Sequence, residues 1–541
     1  MSNRDIEAAW QYHRGTNHSW RSVSQGAHHM DWDNQPSPFK LYPGLTGDKL
    51  PTGIFNSEVP ALKALGLASA EGTCRPTLSQ LAGLFHYAAG ITKVGTVPGG
   101  KMYFRAAACT GALYHIELYL VCGDLPDLPA GVYHFSAHDF SLNRLREGDH
   151  RGVLLEASGG HVAVAEAPAT IVLSSVYWRN SWKYQARAYR HAYWDSGTIL
   201  ANMLAVGNAN QIPLKLITSF VDAPVNRLLD LDASREVALQ LVPVGRDPAD
   251  EIGPPLTVDV LDLEVAPYSR REVSYPAMLE MHSASSLLEP GEVPELWGNP
   301  PALINPAPAG PMFPLNVTPE AGLPQDTPSY SPSYSIEETI LRRGSSRRFR
   351  EAAITFEQLS NMLDRATRGI AADFLDGSGG TLNQLYVIVN DVDDLPQGSY
   401  VFHRERGDGN RGDGERGELE QLAQGDLRAQ AGHLDLGQPL AADASVNIYM
   451  LTDLQSVLDR YGNRGYRMAQ TEASIMGGKL YLGAYAQRLG ATGLTFFDDD
   501  VTEFFSPHAE GKSVMFLVAV GRPGRRRRPG QTGTTPLRTS F

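Results

Sequence analysis

Cysteine is scarce: the 541 residues contain three, Cys74, Cys109 and Cys122. Three thiols cannot make a disulfide framework, which suits a reducing cytoplasm and makes the sequons at Asn17 and Asn316 incidental. No run of eighteen apolar residues occurs, so no membrane-crossing helix is expected. Residues 1–11 are polar and lack the apolar core of a secretion signal. Positive charge is in deficit, with 47 Lys and Arg against 60 Asp and Glu and a net charge of -13. Nucleic acid is therefore not an expected partner, and the basic run 525–528 near the C-terminus needs its own explanation. Metal-ligand spacing is also missing. His28, His29 and Asp31 stand together, but no second cluster supports them, so no metal is expected.

What is present is globular composition, 42 % hydrophobic and 20 % charged, over a length that exceeds one ordinary core and predicts two domains. The chain also repeats itself. Tyr184, Arg187, Tyr189 and Arg190 recur 277 residues later as Tyr461, Arg464, Tyr466 and Arg467. The same offset carries Thr218, Phe220 and Asp222 onto Thr495, Phe497 and Asp499. Upstream, Asp127-Leu-Pro-Ala-Gly131-Val-Tyr133 recurs as Asp394-Leu-Pro-Gln-Gly398-Ser-Tyr400. Separate motifs in the same order, nearly all at a common offset, indicate a duplication.

The expected organisation is a lead segment 1–60, a first domain 61–270, a proline-rich linker 271–333, a second domain 334–528 and a flexible tail 529–541. Prolines between 287 and 332 favour extended chain over helix or central strand. Residues 403–416, rich in Gly, Asp and Arg, read as an exposed loop. Within each copy the pattern is helix, three strands, helix, strand. Residues 77–90 show helical spacing with Thr77 placed to cap. Residues 116–121 and 385–389 read as buried strands, and 188–208 and 470–489 as central helices. The fold class is α+β, helices packed on mostly antiparallel sheets.

Two motifs carry a family resemblance. The stretch from Arg105 through Cys109-Thr110-Gly111-Ala112-Leu113-Tyr114-His115 to Glu117 and Tyr119 resembles the "PSAGALYP-IELY" loop and strand of SagB-type dehydrogenases, a branch of the nitroreductase superfamily. Trp182-Lys183-Tyr184 with Arg187, Ala188, Tyr189 and Arg190 matches that branch's Lys-Tyr helix start. In the second copy, Arg343-Gly-Ser345-Ser-Arg347 resembles the superfamily's R-x-S-x-R motif, which grips the FMN phosphate. Guanidinium forks and a hydroxyl suit a phosphate dianion; the plainer reading is a solvated basic helix end. At the first copy's equivalent positions an offset of 278 places Leu65, Leu67 and Ser69, which cannot hold phosphate.

The resemblance implies two fused nitroreductase-like domains forming an internal pseudo-dimer, with one FMN per chain. Its site would join Arg343, Ser345 and Arg347 to the loop Cys109, Thr110, Gly111 and Ala112. The backbone of Thr495, Phe496 and Phe497 would lie beside the flavin, and Arg525 and Arg527 would complete the phosphate cradle. The degenerate site would pair Leu65 and Leu67 with the loop 377–382. SagB-type enzymes oxidise thiazolines or oxazolines in modified peptides to azoles, with hydride passing to flavin N5 and a base taking a neighbouring proton. Lys183 and Tyr184 fit that base, because burial lowers a lysine's pKa and a phenol can relay a proton; the plainer alternative is that Lys183 starts a helix and Tyr184 packs. Arg460, at the equivalent position, cannot serve as a base.

Cys109-Thr110 departs from the branch's usual step, and His115 stands where proline is usual, which leaves substrate choice open. Cys109 reads as a small loop residue before a reactive thiol. Other biosynthetic enzymes are expected partners, and the chain is expected to be a monomeric pseudo-dimer or a weak homodimer. Two other readings stand beside this one: an NAD(P)H-dependent nitro or quinone reductase, and a flavin-free scaffold that recruits peptides.

Overall fold

The centre of the molecule is a pair of long helices, Ala188–Ala209 and Arg464–Ala486. Both are buried on every side, which a helix tolerates only when packed all round. Small residues let them meet: a Cβ on Gly197 would stand 1.6 Å from Ser474 Oγ, and one on Gly478 would stand 2.5 Å from Ala201 Cβ. Each of these contacts joins a position to its own equivalent at offset 277, and the Ser474 hydroxyl also donates to the Tyr193 carbonyl. Glycine inside a helix costs roughly 0.5–1 kcal/mol relative to alanine; here the close approach explains it.

The structure, a computed structural model, describes residues 3–524 apart from 27, 54, 68, 98–99, 319–333, 377–379 and 405–416, together with 535–536. Each central helix packs beside an antiparallel sheet. The first sheet runs in the order Asp48–Lys49, Ser141–Glu147, Gly131–Ser136, Ile116–Cys122, Ala169–Val176, Glu236–Val244. The second has the order Phe349–Arg350, Ser513–Pro523, Val446–Thr452, Asn383–Val389, Gly398–Arg404, Gly417–Gln424, Met312–Pro314. Leaving out the short edge strands, the two orders are the same. This is the α+β class expected, with one more strand per sheet than the sequence pattern gave.

Helix starts follow local chemistry. Thr77 and Thr355 each close a capping box, on Leu78–Ala89 and Phe356–Ala366 respectively. The second central helix begins six residues before the expected start, because Arg464 and Arg467 are buried within it and held by Asp222 at 2.6 and 2.7 Å. Arg187 and Arg190 hold Asp498 in the same way, at 3.0 and 2.6 Å. The partner of Asp222 in the repeat is therefore Asp498, the first residue of Asp498–Phe505 as Asp222 is of Asp222–Leu228. The offset here is 276, and the sequence match of Asp222 with exposed Asp499 slips by one residue.

The first helices of the two halves lie across the seam: Ala61–Gly66 packs on Phe356–Ala366, and both it and Ile336–Arg342 touch both central helices. The stretch 271–333 is more than extended chain. It contains the helix Pro276–Ala284, and Met312–Pro314 pairs with Gly417–Gln424. His403 and Arg404 complete a strand, and the remainder of the glycine-rich segment, 405–416, lies outside the described residues.

Candidate active site

The loop 106–115 leaves the strand Gly100–Arg105 with three left-handed residues, Gly111 (φ 65°), Ala112 (φ 55°) and Tyr114 (φ 48°). Such conformations persist in non-glycine residues only where surroundings enforce them, and Asp195 of the first central helix does so. Its carboxylate accepts from Thr110 N at 2.9 Å, Thr110 Oγ1 at 2.7 Å, His115 Nε2 at 2.9 Å and Cys109 Sγ at 3.0 Å. Burial and this carboxylate push the Cys109 thiol up, so the sulfur is a structural donor and not a ready thiolate.

The loop faces the end of the helix Tyr177–Tyr184, which breaks at Gln185 (φ 51°). A Cβ on Gly111 would lie 2.8 Å from Tyr184 Oη, so only glycine fits there. Lys183 Nζ stands 5.1 Å from the centre of the Tyr184 ring. Burial and Arg347 of the other half lower the Lys183 pKa. Burial, Asp195 and Cys109 raise that of Tyr184, against an opposing pull from Arg347. Near neutrality, then, Tyr184 is a proton donor and Lys183 is the group that more readily becomes a free amine.

Arg347 reaches this corner from the segment after Ile336–Arg342, whose start is capped by Ser335. It is exposed, and no side-chain hydrogen bond of its guanidinium is found among the described residues. Arg343 is differently used: it is buried and donates to the Ala106 and Arg105 carbonyls at 2.8 and 3.1 Å, tying the halves together. Ser345 Oγ lies 3.4 Å from Tyr481 Oη. Lys93, which sequence reasoning missed, donates to the Arg342 and Arg343 carbonyls at 3.2 and 2.8 Å. Burial and the two arginines lower it to about 8. No sequence motif marks it.

The structure divides 495–497. Phe496 and Phe497 are buried in the core, and Phe497 N donates to the Leu434 carbonyl at 2.8 Å. The amides of Thr495 and Phe496 have no acceptor among the described residues, and Thr495 is only partly buried. Arg525 and Arg527 lie outside the described residues.

The equivalent junction on the other side differs. Aligned on their helix C-caps, Leu67 takes the place of Arg343, Ser69 that of Ser345 and exposed Glu71 that of Arg347. The sequence offset of 278 was two residues out, but no arginine is present in either register. Thr218 N and Ser219 N, where Leu494 and Thr495 stand in the repeat, donate to the Asp373 carboxylate at 3.0 and 2.7 Å. Leu216 N donates to Ala371 O and Asp373 N to Leu216 O, so the chain around 372 fills this junction. Beside it lies a cavity of about 210 Å³ lined by Leu65, Leu67, Ser69, Arg368 and Lys479.

Glu472, the equivalent of Asp195, accepts from Leu382 N, Asn383 N and Asn383 Nδ2 at 2.8–2.9 Å. Burial, opposed by those bonds, raises it to about 7 from 4.5. A carboxyl raised on folding contributes stability in full below its unfolded pKa, lost as pH rises through the folded one. Stability should therefore fall between about pH 4.5 and 7. Glu472→Gln should flatten that slope in denaturation curves taken across the interval, and an unchanged slope would exclude Glu472 as its source.

Residues 340–522 match the model of the nitroreductase family. A protein of Methanocaldococcus jannaschii named as a nitroreductase is 24 % identical over 170 residues, 31 % of this chain and 81 % of its own length. The crystal structure of an Anabaena variabilis protein assigned to the nitroreductases aligns over 96 % of this chain and 99 % of its own, with TM-score 0.73 and 25 % identity. The two-sheet architecture as a whole thus recurs in a solved structure. A chain of the E. coli microcin synthetase complex aligns over 44 % of this one, but at TM-score 0.30 the likeness is too slight to bear on function. The likeness to the family model thus falls within the second half of the chain.

Proposed function

We propose that this chain is an FMN-dependent oxidoreductase with a single composite flavin site, formed between two nitroreductase-like domains that together act as an internal dimer. The domains are 61–270 and 334–528, joined by 271–333 and preceded by the lead 1–60. The repeated sheet order and the contacts between equivalent positions of the central helices support the pairing. The observation that carries the single site is the contrast at one pair of equivalent amides: Thr495 N has no acceptor among the described residues, whereas Ser219 N is held by Asp373 at 2.7 Å.

The residues present fit FMN. Arg347 and Ser345 would hold the phosphate, with Lys93 nearby and Arg525 and Arg527 as further candidates. The bare Thr495 and Phe496 amides would meet the ring, and the loop 109–112 would face it. Arg343 contributes by fixing the loop's base, not by direct contact. FMN, when bound, supplies the hydride acceptor. Lys183, as the free amine, takes the proton from the substrate, and Tyr184 keeps its own proton and orients the exchange. The substrate class is a peptide-derived azoline or a similar intermediate in natural-product maturation. The chain would be cytoplasmic, monomeric or weakly dimeric, and would work beside other biosynthetic enzymes. A small-molecule nitro or quinone reductase using NAD(P)H would share the same site without needing the Lys183 base. A flavin-free scaffold would have no use for Arg347.

The flavin-to-protein ratio of the purified chain tests the reading. We expect a ratio near one that drops at least tenfold in Arg347→Ala, since a charged phosphate contact is worth about 1.5–3 kcal/mol. A ratio near two would mean that the cavity beside Lys479 and Arg368 also takes flavin. No flavin, even after reconstitution, would overturn the proposal.

A further inference from the structure

Three side chains converge on the second sheet. Val401 pairs with Tyr386 on one side and Glu420 on the other, and His403 follows two residues on, on the same face. His508 arrives from the segment after Asp498–Phe505. Ligand atoms of His403, Glu420 and His508 all lie within 4.8 Å of one another. His403 Nε2 is 2.8 Å from Glu420 Oε2.

The surrounding hydrogen bonds admit a tautomer of His508 with its proton on Nδ1. Lys512 Nζ donates to Tyr386 Oη at 3.0 Å, and the phenol donates to the His508 carbonyl at 3.3 Å. With its proton so placed, Tyr386 Oη accepts from His508 Nδ1, 2.9 Å away. The lone pair of His508 is then on Nε2, which is buried and has no partner.

We propose that His403, Glu420 and His508 bind one divalent cation of the zinc class, with water completing the shell. Two imidazoles and one carboxylate make a ligand set that zinc uses with one open position. Each of two ligands is already held through its other atom, which is how outer partners orient a metal site. His508 is held by Tyr386, and Glu420 Oε1 accepts from Ala309 N and Gly310 N at 2.7 and 3.2 Å. Ligand atoms about 2 Å from a common ion stand roughly 3 Å apart, and rotation of the partly exposed His403 closes the set. The ion would clip the hairpin of Gly398–Arg404 and Gly417–Gln424 to the segment around 508 and to the proline-rich stretch at 309–310.

The test uses the full chain, stripped with EDTA and titrated with Zn²⁺ by calorimetry and with Co²⁺ by visible absorption. We expect one ion per chain, intense cobalt bands of a low-coordinate site, and a thermal midpoint raised by Zn²⁺. His403→Ala and Glu420→Gln should weaken binding more than about 100-fold, and Tyr386→Phe about 10- to 100-fold. His433→Ala, which removes an exposed histidine elsewhere, should change nothing. Circular dichroism and flavin content establish that the variants fold. Absence of cobalt bands, or the same affinity in folded His403→Ala as in the parent, would overturn the site.

Discussion

Replacing Lys183 by methionine should lower turnover by about 10²- to 10⁴-fold, the range for losing a positioned general base, while leaving the flavin content near that of the parent. The side chain sits at the end of Tyr177–Tyr184, half-buried against the Tyr184 ring, so methionine keeps its apolar contacts. Because burial and Arg347 lower its pKa, the activity of the parent should rise with pH through a value below that of an ordinary lysine. Arg347→Ala, assayed at saturating FMN, removes a cation and should move that rise to higher pH. A pH profile unmoved in Arg347→Ala would remove Lys183 from the proton step. Arg460, the equivalent in the repeat, donates to the carbonyls of Glu295, Trp297, Gly298 and Asn299. Arg460→Met should therefore alter stability and spare turnover in the folded fraction.

The second large effect is on stability. Asp498→Ala leaves the Arg187 and Arg190 guanidinium groups buried without their counter-ion, which costs about 3–5 kcal/mol. Its neighbour Asp499, exposed and bonded to Asn17 at 3.0 Å, should cost less than about 0.5 kcal/mol when replaced. Chemical denaturation followed by circular dichroism separates the two, and equal losses would contradict the assigned register. Burial pushes the Asp498 carboxyl up, but Arg187 and Arg190 outweigh it and hold the group at about 2; Asp222 sits likewise at about 2 between Arg464 and Arg467. A carboxyl depressed on folding contributes stability above its unfolded pKa and loses it as pH falls through the folded one. Both ion pairs should thus hold the halves together down to about pH 4 and fail toward pH 2.

Much of this was legible in the sequence because it rests on local patterns. The duplication shows as a shared offset, and the capped helices as Thr77 and Thr355 before apolar periodicity. Register was harder. Two adjacent aspartates, Asp498 and Asp499, look alike in sequence, and only packing decides which one meets the arginines. Arg343 likewise looks like a phosphate ligand, and in the fold its guanidinium reaches two backbone carbonyls of the other half.

By itself the sequence determined that the chain has two related halves, that only the second carries arginines after its first helix, at 343 and 347, and that Lys183 has no lysine counterpart at Arg460. Those are statements about residue identity at matched positions. Tertiary structure alone decided which amides are left unpaired. Thr495 N stays bare while its equivalent, Ser219 N, is held by Asp373, 154 residues away in the chain. It also decided that His403, Glu420 and His508 meet. Their separations of 17 and 88 residues follow no metal-ligand spacing, because strand pairing and the return of the chain after Asp498–Phe505 bring them together.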